Sequence, residues 1–233
     1  MAMGGIGALG SQLRATARAR RRADEKAPPR GELPFLTLSR QAGARGGTLA
    51  RTLLAEFEKH PEEPRLQGWS SFDEKLCRMI LSDPELNVSF RELVTEEFRT
   101  PADDFVSVML GKSFQDDVQK KISITLRELA LAGKAILIGR GAAVITRDLT
   151  SGVHIRLVAE RDGRIQHMRE SFDISEKEAG RWVDDQDRSR ARLMKRRFHR
   201  EIDDPLLYDA IWNTDRVPLE VIARCIVEMI LSK

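Results

Sequence analysis

A glycine-rich turn after an apolar strand is the stretch of this sequence with the clearest chemical meaning. Between Leu36 and Ala50 the chain contains Gly43, Gly46 and Gly47, and it then continues into a helix with leucines at helical spacing. The backbone N–H groups of such a turn converge, and the dipole of the following helix favours negative charge at the same point. The turn is therefore predicted to bind an anion, and the phosphates of a nucleotide are the first candidate.

This turn departs from the usual phosphate-loop pattern G-x-x-x-x-G-K-[ST], because it contains no lysine. Gly47 occupies the lysine position if Gly46 and Thr48 are kept in phase, and Gly46 occupies it in the other phase. Arg40 and Arg45 are the nearby cations that could replace the lysine. Many glycine turns only redirect the chain, so the turn alone leaves a structural and a nucleotide-binding interpretation open.

A second apolar strand ends in a turn that carries an arginine, in the segment Ile136-Leu-Ile-Gly-Arg-Gly-Ala-Ala143. A guanidinium binds phosphate oxygens in a planar, bidentate manner, so Arg140 at a strand end is suited to a second phosphate. The alternative is a tight turn with a solvated arginine. Two such turns in one sheet favour the functional interpretation more than either does alone.

The third candidate is a charged helical segment between Val183 and Leu193. Asp187 lies within one helical turn of Arg188 and Arg190, so these side chains can pair along the helix. A charged helix face is usually just a solvated surface. Phosphoryl transfer, however, needs positive charge around the transferred group and exclusion of water, and a movable helix with arginines supplies both.

Apolar runs and helical patterns alternate from residue 34 onwards, which predicts a parallel sheet with helices on both faces. Ligands in such folds bind at the carboxyl ends of the strands, where all the candidate turns fall. A helical insertion is predicted at residues 83–112 and a lid-like helix at 175–200. The predicted strands are Phe35–Leu38, Trp69–Phe72, Ala135–Ile138, His154–Val158 and Ala210–Asn213, with helices near 47–59, 73–82, 113–132, 161–170, 175–198 and 217–231.

The composition fits one α/β domain over residues 34–233. The chain has 233 residues, of which 41% are hydrophobic and 32% charged, and its net charge is +3. No apolar run approaches the ~18 residues that span a membrane. Cys77 and Cys225 lie far apart, which fits a reducing compartment rather than a disulfide framework or a zinc site. We therefore expect a cytoplasmic protein, and the sequence leaves its oligomeric state and any metal ligands open.

Residues 1–33 are predicted to be a disordered basic tail. They are rich in glycine, alanine and arginine, and five arginines fall between positions 14 and 22 without an acid. Their composition is also similar to that of an arginine-rich transit peptide. A further alternative is an arm for nucleic acid or an anionic membrane, although the lack of interleaved aromatic residues speaks against specific nucleic-acid binding.

Several motifs in order give the chain a resemblance to the cytidylate kinase-like branch of the P-loop nucleoside monophosphate kinases, over about residues 35–231. This branch commonly lacks the loop lysine as well. The resemblance implies a P-loop NTPase three-layer α/β fold, with a five-stranded parallel sheet of order 2-3-1-4-5, flanking helices and a helical lid. The motifs are Ser39-Arg-Gln-Ala-Gly-Ala-Arg-Gly-Gly-Thr48, Phe72-Asp-Glu-Lys-Leu76, Ile138-Gly-Arg-Gly-Ala142, Asp187-Arg-Ser-Arg-Ala191 and Leu207-Tyr-Asp-Ala-Ile-Trp-Asn-Thr-Asp215.

The resemblance also implies a role for each matched position. Asp73 and Arg140 would face the acceptor nucleotide, and Asn213 and Thr214 would lie near the base of the donor. Asp187, Arg188 and Arg190 would sit in the lid, where the catalytic charges would come from these three residues together with Arg45. The donor phosphates would lie on the glycine turn, against Gly43, Arg45, Gly46, Gly47 and Thr48.

The predicted activity is transfer of a phosphoryl group from ATP, with Mg²⁺, to a nucleoside monophosphate or a similar small phosphate-bearing acceptor. Authentic cytidylate kinases place an arginine four residues before the lid aspartate, where this chain has Val183, and they also carry the loop lysine. The absent lysine and Val183 keep a second interpretation open, in which the chain is a nucleotide-binding regulatory module with weak or no turnover.

Overall fold

The computed structural model of the protein describes residues 33–73, 76, 77, 79 and 117–233. Its centre is one parallel sheet with the strand order β2-β3-β1-β4-β5, which confirms the predicted fold. The order places β1, which leads into the glycine turn, in the middle of the sheet. The strands are β1 (Phe35–Arg40), β2 (Ser70–Phe72), β3 (Ala135–Ile138), β4 (Gly152–Val158) and β5 (Ala210–Asn213).

Helices cover both faces of the sheet and make it a three-layer structure. One apolar cluster joins β1, β2 and β3 to α2 and α3, and a second joins the opposite face to α1 and α6. Short 3₁₀ turns lie at Pro64–Leu66 and Pro205–Leu207. The α-helices of the described segments are α1 (Gly46–Phe57), α2 (Asp117–Ala132), α3 (Ala142–Ile145), α4 (Arg161–Phe172), α5 (Glu176–Phe198) and α6 (Leu219–Leu231).

The strand register brings the predicted site turns to one edge of the sheet. Leu38 of β1 pairs with Ile138 of β3, so Arg40 and Arg140, each two residues further along, follow at the carboxyl ends of these strands. On the other side, Arg40 still pairs with Leu157 of β4. This pairing explains why β1 runs two residues beyond the predicted end at Leu38.

Helices α4 and α5 form a hairpin that leans on the glycine turn. Ile165, Met168, Ala179 and Val183 from the two helices make a small buried cluster with Ala42 of the turn. A capping box begins α5, in which the Ser175 hydroxyl and the Glu178 carboxylate bond to each other's backbone N–H. The predicted lid-like helix at 175–200 therefore corresponds to α5, packed here against the turn.

Some of the sequence-based predictions concern residues that the structure does not describe. The insertion at 83–112, most of the helix near 73–82 and residues 1–32 of the tail lie outside the described residues. Leu33 is described and is only 3% exposed, so the folded core includes it. No helix within the described segments is long and apolar enough to cross a membrane.

Candidate active site

The glycine turn presents backbone donors at the start of α1. Gly43 and Arg45 both have left-handed backbone conformations, with φ of 80° and 58°, and Arg45 is the N-cap residue. The Leu49 N–H bonds to the Arg45 carbonyl and starts the helix. Among the described residues, no acceptor meets the N–H groups of Gly43, Arg45, Gly46, Gly47 or Thr48. These donors, together with the helix dipole, form an anion-binding concavity.

Gly47 leaves space open above the turn, whereas Gly43 does not. A Cβ at Gly47 would come no closer than 3.9 Å to another atom, the Nη1 of Arg51. A Cβ at Gly43 would lie 2.6 Å from the carbonyl oxygen of Arg164. The turn is therefore closed on the side of α4 and open at Gly47.

Asp187 of α5 holds the glycine turn in place. Its Oδ1 accepts a hydrogen bond from the Ala42 N–H at 2.7 Å, and its Oδ2 accepts one from Arg164 Nη1 at 2.5 Å. The same Arg164 nitrogen donates to the Ala42 carbonyl at 3.0 Å. This set of bonds, which we call the Asp187 latch, ties α4, α5 and the turn together. In this structure, Asp187 therefore positions the turn rather than facing open space.

Three arginines meet where the ends of β1 and β3 face α5. Burial and the nearby cations Arg190 and Arg140 lower the pKa of Arg40 to about 10. Burial, then Arg190, lowers the pKa of Arg140, and burial lowers that of Arg190 as well. Each guanidinium thus lies close to others of the same charge and partly out of water. Such a site gains stability when an anion enters it.

The first cavity lies between these arginines and an apolar wall. It has a volume of about 140 Å³ and is lined on its polar side by Arg40, Arg140 and Arg190, with Ser39 and Gln186. Tyr208 also lines the cavity, and its hydroxyl donates to the Ile202 carbonyl at 2.8 Å. The apolar wall consists of Ile138, Leu193, Met194 and Ile202. The cavity suits a small molecule with an anionic end and a less polar end.

The second cavity lies over the glycine turn and has a volume of about 260 Å³. Arg40 and Arg190 line this cavity as well as the first one. The cavity is also lined by the turn itself, Arg51 of α1, and His167, Met168, Ser171 and Phe172 of α4. The two cavities therefore meet at a pair of guanidinium groups.

The structure brings most of the predicted site residues to these cavities. Arg140 and Arg190 line the first, and Gly43, Arg45, Gly46, Gly47 and Thr48 line the second. Arg188 lines neither of them, since it is exposed and pairs with Asp185 at 2.5 Å. Asp73 lies close enough to Arg40 to raise its pKa, and its Oδ1 accepts from the Leu76 N–H at 2.8 Å.

Asn213 and Thr214 are not among the described residues that line the two cavities. Thr214 is 4% exposed, and its N–H bonds to the Val158 carbonyl at 3.0 Å. The Asn213 side chain accepts from the Asp215 N–H at 3.0 Å. Both residues therefore have contacts that stabilise the turn after β5.

The sequence analysis did not identify two arginines that hydrogen-bond to residues of the site. Arg164 completes the Asp187 latch, and Arg156 of β4 donates to Ser39 Oγ at 3.0 Å and to Asp203 at 2.5 Å. Arg156 also lies 5.7 Å from the centre of the Tyr208 ring. An arginine in the middle of an apolar strand was the available signal for Arg156, because such a buried charge needs a partner.

The fold is that of a nucleotide-binding α/β protein of the kinase-like type. The chain belongs to the cytidylate kinase-like family, whose model matches residues 35–216. The predicted family resemblance is thereby confirmed. A comparison with curated proteins gave no match.

One solved structure supports the same architecture, and a second shows a weaker likeness. An uncharacterized protein from Eubacterium ventriosum superposes with a TM-score of 0.65 at 14% identity, over 86% of this chain and 99% of that one. A shikimate kinase from Bacteroides thetaiotaomicron superposes with a TM-score of 0.45 at 12% identity, over 84% of this chain and 97% of that one. At these identities the first likeness concerns the fold alone, and the second is too distant to add to it.

Proposed function

We propose that the protein transfers a phosphoryl group from ATP to a nucleoside monophosphate or a similar small phosphate-bearing acceptor. The observation that carries the proposal is that Arg40 and Arg190 line both cavities. A phosphoryl group that passes from the turn to the first cavity would travel between them. Such a transfer requires mainly positioning and charge neutralisation, which two shared guanidinium groups supply.

The donor phosphates would bind to the N–H groups between Gly43 and Thr48. These donors have no acceptor among the described residues, so an anion would satisfy them without displacing a protein contact. Arg45 is exposed beside them and stands where it could share the charge that a loop lysine neutralises in other families.

A magnesium ion, when bound, would neutralise charge on the donor phosphates. No group of three carboxylate, histidine or cysteine side chains within the described segments could hold a metal by itself. Mg²⁺ requires few protein ligands, because it keeps several waters and binds largely through the phosphates of its nucleotide. The Thr48 hydroxyl at the start of α1 is the protein oxygen that we assign to it.

The acceptor would bind in the first cavity with its phosphate towards Arg140. The apolar wall of that cavity would receive the rest of the acceptor, and Tyr208 would limit its size. Arg190 approaches from α5, so closure of this helix over both ligands would complete the charge balance and exclude water. Asp73 stands near Arg40, from where it could orient the acceptor or that guanidinium.

A second candidate function is a nucleotide-binding module that has lost turnover. One observation favours it: two of the predicted catalytic side chains are engaged elsewhere, Asp187 in the latch and Arg188 in its pair with Asp185. Such a module would still bind a nucleotide at the glycine turn, and it would act through the conformational change that binding causes.

An ADP-release assay over a panel of nucleoside monophosphates and other small phosphates separates the two functions. We expect ADP release to depend on one acceptor class and to fall at least tenfold in Arg190→Ala, whereas Arg188→Ala serves as the matched control on the same helix. The loss would appear in kcat, because the charge is used mainly in the transition state. ATP binding with no acceptor-dependent ADP release would favour the regulatory module.

A further inference from the structure

Arg156 of β4 is a buried guanidinium behind the wall of the first cavity. Only 4% of its side chain is exposed, and it is not among the described residues that line either cavity. Two residues that do line the first cavity contact it. Ser39 Oγ accepts from its Nη1 at 3.0 Å, and the centre of the Tyr208 ring lies 5.7 Å from its guanidinium carbon. Arg156 can therefore act on a ligand of this cavity through Ser39 and Tyr208.

The hydrogen bonds behind this wall form a chain that can run in one direction only. A guanidinium donates and never accepts, so Arg156 donates to Ser39. A backbone carbonyl only accepts, so the Tyr208 hydroxyl donates its single proton to Ile202 at 2.8 Å. The oxygens of Ser39 and Tyr208 are 3.2 Å apart. Because the proton of Tyr208 is already used, Ser39 donates the bond between them.

This direction determines what the two hydroxyls can offer to a ligand. Once the chain is made, each oxygen has a lone pair left and no proton to give, so both can only accept. The guanidinium groups of Arg40, Arg140 and Arg190 in the same cavity can only donate. The cavity thus suits an anionic group beside the arginines and a hydroxyl or amino group beside the two oxygens.

Stability alone does not account for a buried arginine at this position. Its carboxylate partner is Asp203, which accepts from Nη2 at 2.5 Å and has 77% of its side chain exposed. Removing a guanidinium from water costs free energy, and an apolar side chain of similar volume is often as good for stability as a buried ion pair. An apolar residue in place of Arg156 would, however, leave the direction of the hydrogen-bond chain unfixed.

We propose that Arg156 is a positioning residue of the first cavity, which fixes the Ser39 and Tyr208 hydroxyls as acceptors for a hydroxyl or amino group of the phosphate-bearing ligand. The inference deepens the proposed function and rests on it, because it concerns the acceptor molecule in the same cavity. Loss of Arg156 should therefore weaken binding of that molecule and leave ATP binding unchanged.

Calorimetry on the full chain with AMP, CMP, GMP and UMP tests the proposal without requiring turnover. Arg156→Gln should raise the Kd of the monophosphate that binds most tightly about three- to tenfold, which is the range for one hydrogen bond. Glutamine can accept as well as donate, so it no longer fixes the direction of the chain. Arg156→Lys keeps a group that only donates and should retain most of the affinity.

Arg127→Gln is the matched control. Arg127 is also a buried arginine, with 7% of its side chain exposed and Asp148 as its partner at 2.7 Å, but it is not among the described residues that line the two cavities. This substitution removes a buried ion pair far from the hydrogen-bond chain. It should leave the Kd of the monophosphate unchanged.

Tyr208→Phe breaks the same chain at its other end. It should raise the Kd by a similar factor, and the double variant with Arg156→Gln should bind no more weakly than the weaker single variant. Factors that multiply in the double variant would show that the two residues act independently and would overturn the proposal. If Arg156→Gln did not fold, an unchanged Kd in Tyr208→Phe would overturn it alone.

The same measurements distinguish failure of this inference from failure of the proposed function. Equal monophosphate affinity in Arg156→Gln and the unmodified chain would remove the positioning role while leaving the proposed function intact. If the unmodified chain bound none of the four monophosphates, this class of acceptor would be excluded and the inference with it.

Discussion

Three guanidinium groups in partial burial are the most distinctive arrangement at the residue scale. Burial, then Arg190 and Arg140, lowers the pKa of Arg40, and burial, then Arg190, lowers the pKa of Arg140. Asp187 of α5, which accepts from Arg164 and Ala42, also lies 3.7 Å from Nη1 of Arg190. Like charges at close range are unfavourable in an empty site. A ligand with several negative charges would turn this repulsion into attraction, so part of the binding energy is stored in the unliganded protein.

Arg140→Ala tests the acceptor site. The substitution removes a charged contact of about 1.5–3 kcal/mol, so the KM for the acceptor should rise roughly ten- to hundredfold while the Kd for ATP changes little. Steady-state kinetics and calorimetry give the two numbers, with Arg188→Ala as a control that removes an exposed charge of the same type. An equal loss for both ligands would show that Arg140 serves the donor instead.

The sequence could predict Arg140 and Arg190 as site residues, but it could not show which side of the helix around Arg190 faces the cavity. Residues 188 and 190 are about 200° apart around a helix, so both cannot face one cavity. Which of the two faces inwards depends on how α5 packs, and the latch between Asp187 and Ala42 decides it. Arg164, the side-chain partner of Asp187, lies 23 residues away in α4, and no local sequence pattern predicts such a contact.

At the scale of elements, the junction between β1 and α1 makes a sharp prediction. Gly47→Val should fold as stably as the unmodified chain and lose ATP binding at least tenfold, because its side chain would project into the open space above the turn. Thermal unfolding and calorimetry measure the two effects.

Gly43→Ala is the matched control for the same turn. Its Cβ would overlap the Arg164 backbone at a φ of +80°, so it should lower the thermal midpoint by several degrees. Undiminished ATP binding by Gly47→Val would show that the phosphates do not lie on this turn.

The alternation of apolar strands and amphipathic helices was enough to predict the parallel sheet. All five strands occur where the sequence places them, within two residues at each end. Strand order came from the family resemblance, because the alternation of elements does not determine which strands are neighbours. Helix α3 escaped prediction, since its four residues are too few to show a helical period.

At the scale of the whole molecule, Leu33 is the first described residue and belongs to the folded core, and five arginines are clustered before it between positions 14 and 22. We expect that removal of residues 1–30 leaves the thermal midpoint and any kinase activity unchanged. This segment has few apolar side chains that could enter a core, and its five clustered arginines favour solvent. Unfolding curves and ADP-release rates of the two chains test this.

A chain in which the order of residues 1–30 is shuffled keeps the five arginines and so separates the effect of charge from that of sequence. A large drop in the midpoint after removal would show that the tail packs on the domain. A drop in activity alone, restored by the shuffled tail, would show that its charge attracts the anionic ligands.

The Asp187 latch makes the glycine turn, our proposed cradle for the donor phosphates, and the helix that covers it a single unit. If α5 swings away, Ala42 loses the acceptor of its N–H, and Arg164 keeps only backbone partners. An open molecule would therefore lose the shape of its turn together with its lid, and the turn would be formed only while the helix is near. Hydrogen exchange between the Ala42 N–H and solvent therefore measures how often the molecule opens.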